Sequence, residues 1–179
     1  MVYVAQPVDI LAGDAEDRLE AIFNDHHESI VSLLFRLLGG REEAEEQAQE
    51  AFIRLSKDRV IWRPREEVLA WLRRVALNLG YNALRSRRRE LARLQRHARL
   101  EEPLSRSPGD PEASALQAED IGRVRNALAQ LEPRQQACLM LRYSGLSYRE
   151  IAATIRVAPT SVGTLLARAE AAFRANYKE

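Results

Sequence analysis

Residues 60–99 form the most basic stretch of the chain, with 11 Lys or Arg side chains against 3 Asp or Glu. Four of these arginines crowd into Arg85-Ser-Arg-Arg-Arg89. Clustered guanidinium groups bind nucleic-acid phosphates through charge and through paired N–H donors. The pattern predicts a nucleic-acid surface, although solvated helix faces with segregated charge would give the same composition.

The preceding residues 1–59 have the opposite balance, with 6 basic and 13 acidic side chains. A dense acidic surface suits a basic protein partner. Residues 100–179 carry 10 charges of each sign. The net charge of +1 therefore conceals two surfaces that we expect to have different partners.

Residues suited to catalysis or metal binding form no recognisable pattern. The sequence has no Ser/His/Asp set and no glycine-rich phosphate loop, and its 3 His and single Cys138 lack the spacing of metal ligands. We therefore expect a protein that is not an enzyme and has no catalytic residue, no metal and no cofactor.

Several features predict a cytoplasmic protein without membrane insertion. A lone cysteine excludes a disulfide within the chain and is typical of a reducing compartment. No apolar run approaches the ~20 residues of a membrane-spanning helix. The first residues, Met1-Val-Tyr-Val-Ala-Gln-Pro7, lack the pattern of a signal peptide.

Apolar residues recur at helical spacing and no segment alternates as a strand, so the sequence predicts an all-α fold. The first helix is expected from about Asp17 to Leu38, where Gly39-Gly40 ends it, and the second from about Glu42 to Lys57. A third begins after Pro64 and runs into the arginine cluster. Residues 100–115 are rich in proline and predict a flexible linker between two small helical domains.

The clearest local signals lie near the C-terminus. Ser147-Tyr-Arg-Glu150 is a capping box, which marks the start of a helix. A short turn around Arg156-Val-Ala158 follows, and Pro159 suits the first turn of the next helix. Helix, tight turn and helix is the pattern of a DNA-binding helix-turn-helix, although helical hairpins also serve as plain scaffolds.

Two stretches, taken together, resemble one protein family. Glu45-Glu-Gln-Ala-Gln-Glu-Ala-Phe52, followed by Ala70-Trp-Leu-Arg-Arg-Val-Ala-Leu-Asn78, resembles region 2 of bacterial sigma factors. Leu131-Glu-Pro-Arg-Gln-Gln with Leu141-Arg-Tyr-Ser-Gly-Leu-Ser-Tyr-Arg-Glu-Ile-Ala152 resembles region 4. The linker stands where larger members have a middle domain, which points to the extracytoplasmic-function (ECF, group IV) sigma factors of the sigma-70 superfamily. The resemblance implies a non-catalytic subunit that binds core RNA polymerase and directs promoter-specific transcription initiation.

The resemblance also implies a division of the chain. Residues 1–18 would be an N-terminal extension that matches no family region. Residues 19–99 would form region 2, which docks on core polymerase and recognises and opens the minus-ten element. A linker, 100–115, would lead to region 4 in residues 116–179, which reads the minus-thirty-five element.

Individual side chains acquire expected roles from the same resemblance. Those matching the family's polymerase-docking surface are Glu45, Glu46, Gln49 and Phe52. Those matching its minus-ten contacts are Trp62, Arg63, Arg73, Arg74, Asn78, Asn82, Arg85, Arg87 and Arg88. Those available for the minus-thirty-five duplex are Tyr148, Arg149, Thr160, Ser161, Thr164 and Arg168. Phe52 also lies on the apolar side of its helix, where core packing is an equal alternative, and Trp71 is in phase with core positions, which leaves Trp62 as the better base-stacking candidate.

The recognition helix departs from the family pattern. Members usually carry Lys or Arg near the start of the last helix and again two residues on, where this chain has Gly163 and Leu165. Fewer phosphate contacts weaken duplex binding. We therefore expect the minus-ten contacts to carry more of the promoter specificity than usual.

The partners implied are the beta-prime and beta subunits of core polymerase, promoter DNA in duplex and single-stranded form, and an anti-sigma factor that covers both regions. One rival is a stand-alone helix-turn-helix regulator, which explains the C-terminal half but not the acidic second helix or the arginine-rich third. Another is a helical adaptor, which predicts that charge reversal at Arg85 and Arg87 leaves promoter opening unchanged.

Overall fold

The computed structural model describes the backbone of residues 7–98 and 122–178. Within these ranges every regular element is a helix, which confirms the predicted all-α class. The predicted linker 100–115 lies outside the described residues. No described helix has both the length and the hydropathy that a membrane crossing needs.

The helices fall into two groups. The first consists of α1 (Pro7–Leu38), α2 (Arg41–Lys57), a 3₁₀ turn (Arg59–Trp62) and α3 (Arg65–Ala98). The second consists of α4 (122–129), α5 (Pro133–Tyr143), α6 (Tyr148–Ile155) and α7 (Pro159–Lys178).

Several helix boundaries follow from local chemistry, and one prediction was wrong. The helix end at Gly39 is confirmed, and α5 likewise ends just before Gly145. Both glycines adopt positive φ values, 88° and 85°, which residues with a side chain rarely adopt. Helix α1, however, begins ten residues before the predicted start near Asp17. Pro7 suits the first turn of a helix, and residues 7–18 lie within α1.

Small residues bring the first group together. Ala44, Ala48 and Ala51 of α2 are fully buried, which lets its backbone approach α1 and α3 closely. Around them lie the large buried side chains of the first core, from α1 and α3: Ile22, Ile30, Leu34, Val68 and Leu72. Phe23 of α1 lies outside this core: it is exposed, and its ring centroid lies 4.5 Å from that of His27, with the two ring planes tilted by 33°.

The second group packs around Cys138, Leu141, Ile151 and Val162, all with almost no solvent exposure. Three further members of this core come from the first group: Leu33, Leu37 and Leu77. The two groups of helices therefore share one hydrophobic interface, and the structure shows them closed on each other.

Candidate nucleic-acid interface

Helix α2 presents a polar face to solvent. Glu46 and Gln49 are exposed, and Glu45 is half-buried and accepts a hydrogen bond from Arg41 Nε at 2.8 Å. Phe52, predicted to belong to the same surface, is only 5% exposed and packs edge-on against Phe23 with ring centroids 4.9 Å apart. The closed form therefore uses Phe52 in the core.

The apolar side chain that α2 does present is Ile53, at 47% exposure. Sequence reasoning missed it because it is out of phase with the alanine stripe on which the helix was identified. Its exposure beside Gln49 and Glu46 gives the acidic face an apolar contact point.

The 3₁₀ turn places Trp62 at the surface. The Asp58 carboxylate caps the turn by accepting from the Val60 N–H at 2.8 Å. Trp62 at its end is 46% exposed, and the exposed Arg63 follows, with its carbonyl accepting a hydrogen bond from Arg18. By contrast, Trp71 is partly buried against the first core. The capped turn thus holds one indole ring where a base could stack on it.

From just before its midpoint onward, α3 carries a polar stripe made of Asn78, Asn82, Arg85 and Arg88, all exposed. Spacings of four and three residues place these side chains on one side of the helix. Amides offer donors and acceptors to base edges, and guanidinium groups offer paired donors to phosphate. This polar stripe is a continuous surface suited to nucleic acid.

Arg87 has a different position. Its guanidinium pairs with Glu43 of α2 and donates to the Leu38 carbonyl at 3.4 Å. The side chain therefore ties α3 to the junction of α1 and α2. A contact with nucleic acid would have to replace or share these bonds.

The structure directs the predicted minus-ten residues Arg73 and Arg74 towards α6. Arg74 donates from Nε to the Thr154 carbonyl at 2.8 Å and from Nη2 to the Ala153 carbonyl at 2.9 Å. Arg73 pairs with the Glu150 carboxylate at 3.5 Å, and its side chain is 14% exposed. Burial lowers the pKa of both guanidinium groups, and Arg156 contributes to the lowering at Arg74.

Arg73 and Arg74 contact α6 at its two ends. At the N-terminus the Glu150 carboxylate accepts from the Ser147 N–H at 2.9 Å, which completes the predicted capping box. Hydrogen bonds from Ser147, with the nearby Arg73 charge, hold the pKa of Glu150 below its usual range. At the C-terminus, Arg74 satisfies carbonyls that the helix leaves without internal partners.

The outer face of the helix-turn-helix is polar but poor in cations. The predicted minus-thirty-five residues are all exposed: Tyr148, Arg149, Thr160, Ser161, Thr164 and Arg168. Arg142 of α5, which sequence reasoning missed, lies over the Tyr148 ring at 5.7 Å from its centroid. Tyr148 also faces Gly163, where an added Cβ would lie 3.7 Å from the ring.

An apolar groove of about 730 Å³ opens where α1, α4, α5 and α7 meet. Phe35 and Tyr143 contribute exposed aromatic rings to it. Its cationic members are Arg36, Arg125 and Arg174, of which Arg125 lies over the Phe35 ring and donates to the Gly39 carbonyl at 3.3 Å. The groove therefore combines apolar walls with three guanidinium groups and one carboxylate, that of Glu170, which pairs with Arg174 at 3.6 Å.

The described residues contain no cluster of side chains that could hold a metal ion. They offer instead four surfaces: the acidic face of α2, the Trp62 turn, the polar stripe of α3 and the outer face of the helix-turn-helix. The last three are suited to nucleic acid, in single-stranded and duplex form.

Comparisons with known proteins match both groups of helices. The family model described as Sigma-70 region 2 matches residues 22–90, and the one described as Sigma-70, region 4 matches residues 121–173. The chain is 31% identical to the RNA polymerase sigma-H factor of Pseudomonas aeruginosa over 152 residues, which cover 80% of this chain and 76% of that protein. It is also 31% identical to the ECF RNA polymerase sigma factor SigE of Mycolicibacterium smegmatis, with coverage of 83% and 56% respectively.

Two solved structures share the fold. One is CnrH in complex with the cytosolic domain of CnrY, with a TM-score of 0.61, 18% identity, and coverage of 93% of this chain and 94% of that one. The other is the sigma factor RpoE in complex with the anti-sigma factor NepR from Bartonella quintana, with a TM-score of 0.58, 19% identity, and coverage of 89% and 96%. At these identities the likeness concerns the fold alone.

Proposed function

We propose a role in transcription initiation for each surface of this chain, which belongs to the sigma-70 family. Within that family it is a sigma factor of the extracytoplasmic-function group, and it directs transcription initiation. Residues 19–99 dock on RNA polymerase and open the minus-ten element. Residues 116–179 contact the minus-thirty-five element, with 100–115 as the linker and 1–18 as an extension that enters α1. The observation that carries the proposal is the exposed polar stripe of α3, since a continuous line of amides and guanidinium groups suits a single strand.

Polymerase docking is proposed for the exposed face of α2. Glu46 and Gln49, with Glu45 at its edge, supply charge and hydrogen bonds for a basic surface, which we assign to the beta-prime subunit, with beta as a second contact. Ile53 replaces Phe52 as the proposed apolar contact with polymerase. Of these two side chains, only Ile53 is exposed, whereas Phe52 is buried in the core.

Strand opening is proposed for the Trp62 turn and the polar stripe. Trp62 stacks on an exposed base and Arg63 contacts its phosphate, while the stripe holds the non-template strand. Arg73 and Arg74 join these contacts only after they leave α6. Arg87 retains a role in holding α3 to α2 besides any phosphate contact.

Minus-thirty-five reading is proposed to depend on hydroxyl groups and few cations. Thr160, Ser161 and Thr164 offer short polar side chains at the start of α7, with Arg149 and Arg168 beside them. With so few guanidinium groups, duplex binding at this site is weak and depends little on salt. The minus-ten contacts then supply most of the promoter specificity.

An anti-sigma factor is proposed as the regulatory partner. The two solved structures that share the fold are complexes, one of them with a named anti-sigma factor. In this chain the groove beside Phe35 and Tyr143 suits an amphipathic helix whose acidic residues reach Arg125 and Arg174. Because the protein is proposed to act with polymerase on chromosomal DNA, we assign it to the cytoplasm.

The polymerase contact is tested by Glu46→Lys, with Glu20→Lys on α1 as the matched control, since both glutamates are exposed. Reconstituted core polymerase and run-off transcription give the readout. We expect the change at Glu46 to weaken core binding at least tenfold and to abolish transcripts, while the control behaves like wild type. Equal behaviour of the two variants would remove α2 from the docking surface.

The strand-opening role is tested by Trp62→Ala against Tyr143→Ala, which removes another exposed ring. Permanganate reactivity of unpaired thymines reports opening directly. We expect loss of opening, with core binding intact, only for the change at Trp62. A gel shift with the full chain in the absence of core polymerase tests the rival function of a stand-alone regulator. Such a regulator would bind its site tightly under these conditions.

A further inference from the structure

We propose that His26 of α1 is a positioning residue for the Trp62 turn, and that protonation of its imidazole ring loosens the turn. Neutral His26 contacts Arg65, the first residue of α3, which lies three residues after Trp62. Acid would therefore weaken promoter opening through one side chain. The inference rests on the proposed base-stacking role of Trp62 and needs no contact between His26 and DNA.

Helix α1 holds the short segment between the 3₁₀ turn and α3 at two points. Arg18 donates a hydrogen bond to the Arg63 carbonyl. Seven and eight residues further along α1, Asp25 and His26 contact the Arg65 guanidinium. Seven residues make two helical turns, so one side of α1 supplies both points of contact. Because the segment directly follows the exposed indole ring, its position determines where that ring lies.

The Arg65 guanidinium determines the protonation state of His26. One of its nitrogens, Nη2, lies 2.6 Å from Asp25 Oδ2 and 3.1 Å from His26 Nε2. Arginine donates hydrogen bonds and accepts none, so Nε2 must be the acceptor and carry no proton. The ring is therefore neutral, with its proton on Nδ1, and the two hydrogens of Nη2 are divided between Asp25 and His26.

Protonation would place two hydrogen-bond donors face to face. An imidazolium carries a proton on Nε2, so repulsion between two cations would replace the bond from Arg65. Burial of the ring, with the charges of Arg65 and Arg73 on α3, lowers the pKa of His26. The neighbouring Asp25 on α1 acts against this lowering. A lowered pKa favours the neutral ring, so the contact is complete at neutral pH and is lost as the pH falls through that pKa.

Loss of this contact would loosen the turn without unfolding it. Ile61 is 4% exposed and keeps the turn anchored in the first core, and the Asp58 carboxylate still caps it. The segment 63–65 would gain freedom, and the indole ring of Trp62 with it. The Arg65 side chain is 49% exposed, so solvent screens its contacts and an effect of a few-fold on opening is expected.

Trp62 itself can report the loosening. The chain has two tryptophans, so Trp71→Phe leaves Trp62 as the single fluorophore of this kind. Time-resolved fluorescence anisotropy of the full chain then measures the motion of the Trp62 ring without polymerase or DNA. We expect the fast component of the anisotropy decay to grow as the pH falls from 7.5 to 5.0.

Three substitutions assign the change to one imidazole ring. His26→Gln should abolish it, because the amide oxygen can accept from Arg65 at every pH and does not titrate. His26→Lys carries a permanent positive charge and should give the loosened turn already at pH 7.5. His27→Gln is the matched control: it removes the adjacent imidazole, which lies against Phe23 and Phe52, and should keep the wild-type pH dependence.

Permanganate reactivity with core polymerase gives the functional readout at pH 7.5 and 6.0. Comparing wild type with His26→Gln on the same polymerase cancels the titration of the polymerase itself. Relative to His26→Gln, we expect opening by the wild type to fall roughly twofold at pH 6.0, the size of effect that one exposed charged contact supplies. His27→Gln should follow the wild type.

The two readouts keep this inference apart from the proposed function. Motion of Trp62 that is independent of pH, or that changes equally in His26→Gln, would overturn the positioning role of His26. If the motion depends on His26 as expected but opening does not, the positioning role stands and the proposed role of Trp62 in strand opening fails.

Discussion

Replacing Gly163 with lysine is the sharpest test of the cation-poor recognition helix. Gly163 lies in the second turn of α7, at the position where the family resemblance leads us to expect a basic residue. A Cβ there would meet the Tyr148 ring at 3.7 Å, an ordinary contact distance, so the new side chain fits without displacing its neighbour. Gly163→Lys therefore adds a charge to the proposed DNA-facing side of α7 at no steric cost.

Gly163→Lys should change two measurable quantities: the free energy of unfolding and the salt dependence of duplex binding. Glycine inside a helix costs about 0.5–1 kcal/mol relative to a good helix former, so the free energy of unfolding should rise by about that amount. One added phosphate contact steepens the dependence of log K on log salt by about 0.9 for duplex DNA. Between 50 and 200 mM salt the variant should therefore lose roughly 3.5-fold more affinity than wild type.

Fluorescence anisotropy with the full chain and a duplex carrying its mapped minus-thirty-five element measures this slope. Ala175→Lys is the control, because it adds the same charge twelve residues along α7, about 18 Å from Gly163. A steeper slope in Gly163→Lys alone supports the assigned face. An unchanged slope, or the same change in the control, would refute the reading of α7 as the duplex-contacting helix.

Two stability predictions concern the cores. Leu72→Ala removes a fully buried side chain and should lower the free energy of unfolding by about 3 kcal/mol, measured by urea denaturation. Leu91→Ala, at an exposed site, should lower it by less than about 0.5 kcal/mol. Equal losses would contradict the core assignment. Burial raises the pKa of Cys138 from 9.0 to about 11, so its contribution to stability is complete below pH 9 and is lost as pH rises through 11. The stability difference between wild type and Cys138→Ala should shrink by roughly 2–3 kcal/mol over that window, and a constant difference would contradict it.

Local signals in the sequence were sufficient for most of the helices. Glycines at 39 and 145, the capping box at Ser147 and the proline at 159 each act on neighbouring residues, and the structure has a boundary at each. The start of α1 was mispredicted because apolar periodicity becomes clear only after Asp17. Residues 7–13 include Gly13, a poor helix former, and the helix extends through them nevertheless.

The contact of Arg73 and Arg74 with α6 could not be predicted from periodicity. Arg73 and Arg74 bond to backbone carbonyls and to a side chain about eighty residues away, and no local pattern encodes an acceptor that is a peptide group. One indirect signal existed. Leu33 and Leu37 broaden the apolar stripe of α1 beyond what its own group buries, and the structure uses both against the second group.

The contact between the two groups of helices combines polar bonds with buried apolar surface. Separating the groups would remove two charge-assisted bonds from Arg74 and an ion pair from Arg73. It would also expose Leu33, Leu37 and Leu77, which are buried in the core of the second group. A ligand shifts such an equilibrium only by its differential affinity for the two forms. A partner that needs the two groups apart must therefore cover the exposed leucines, or supply equivalent binding free energy, besides replacing the polar bonds.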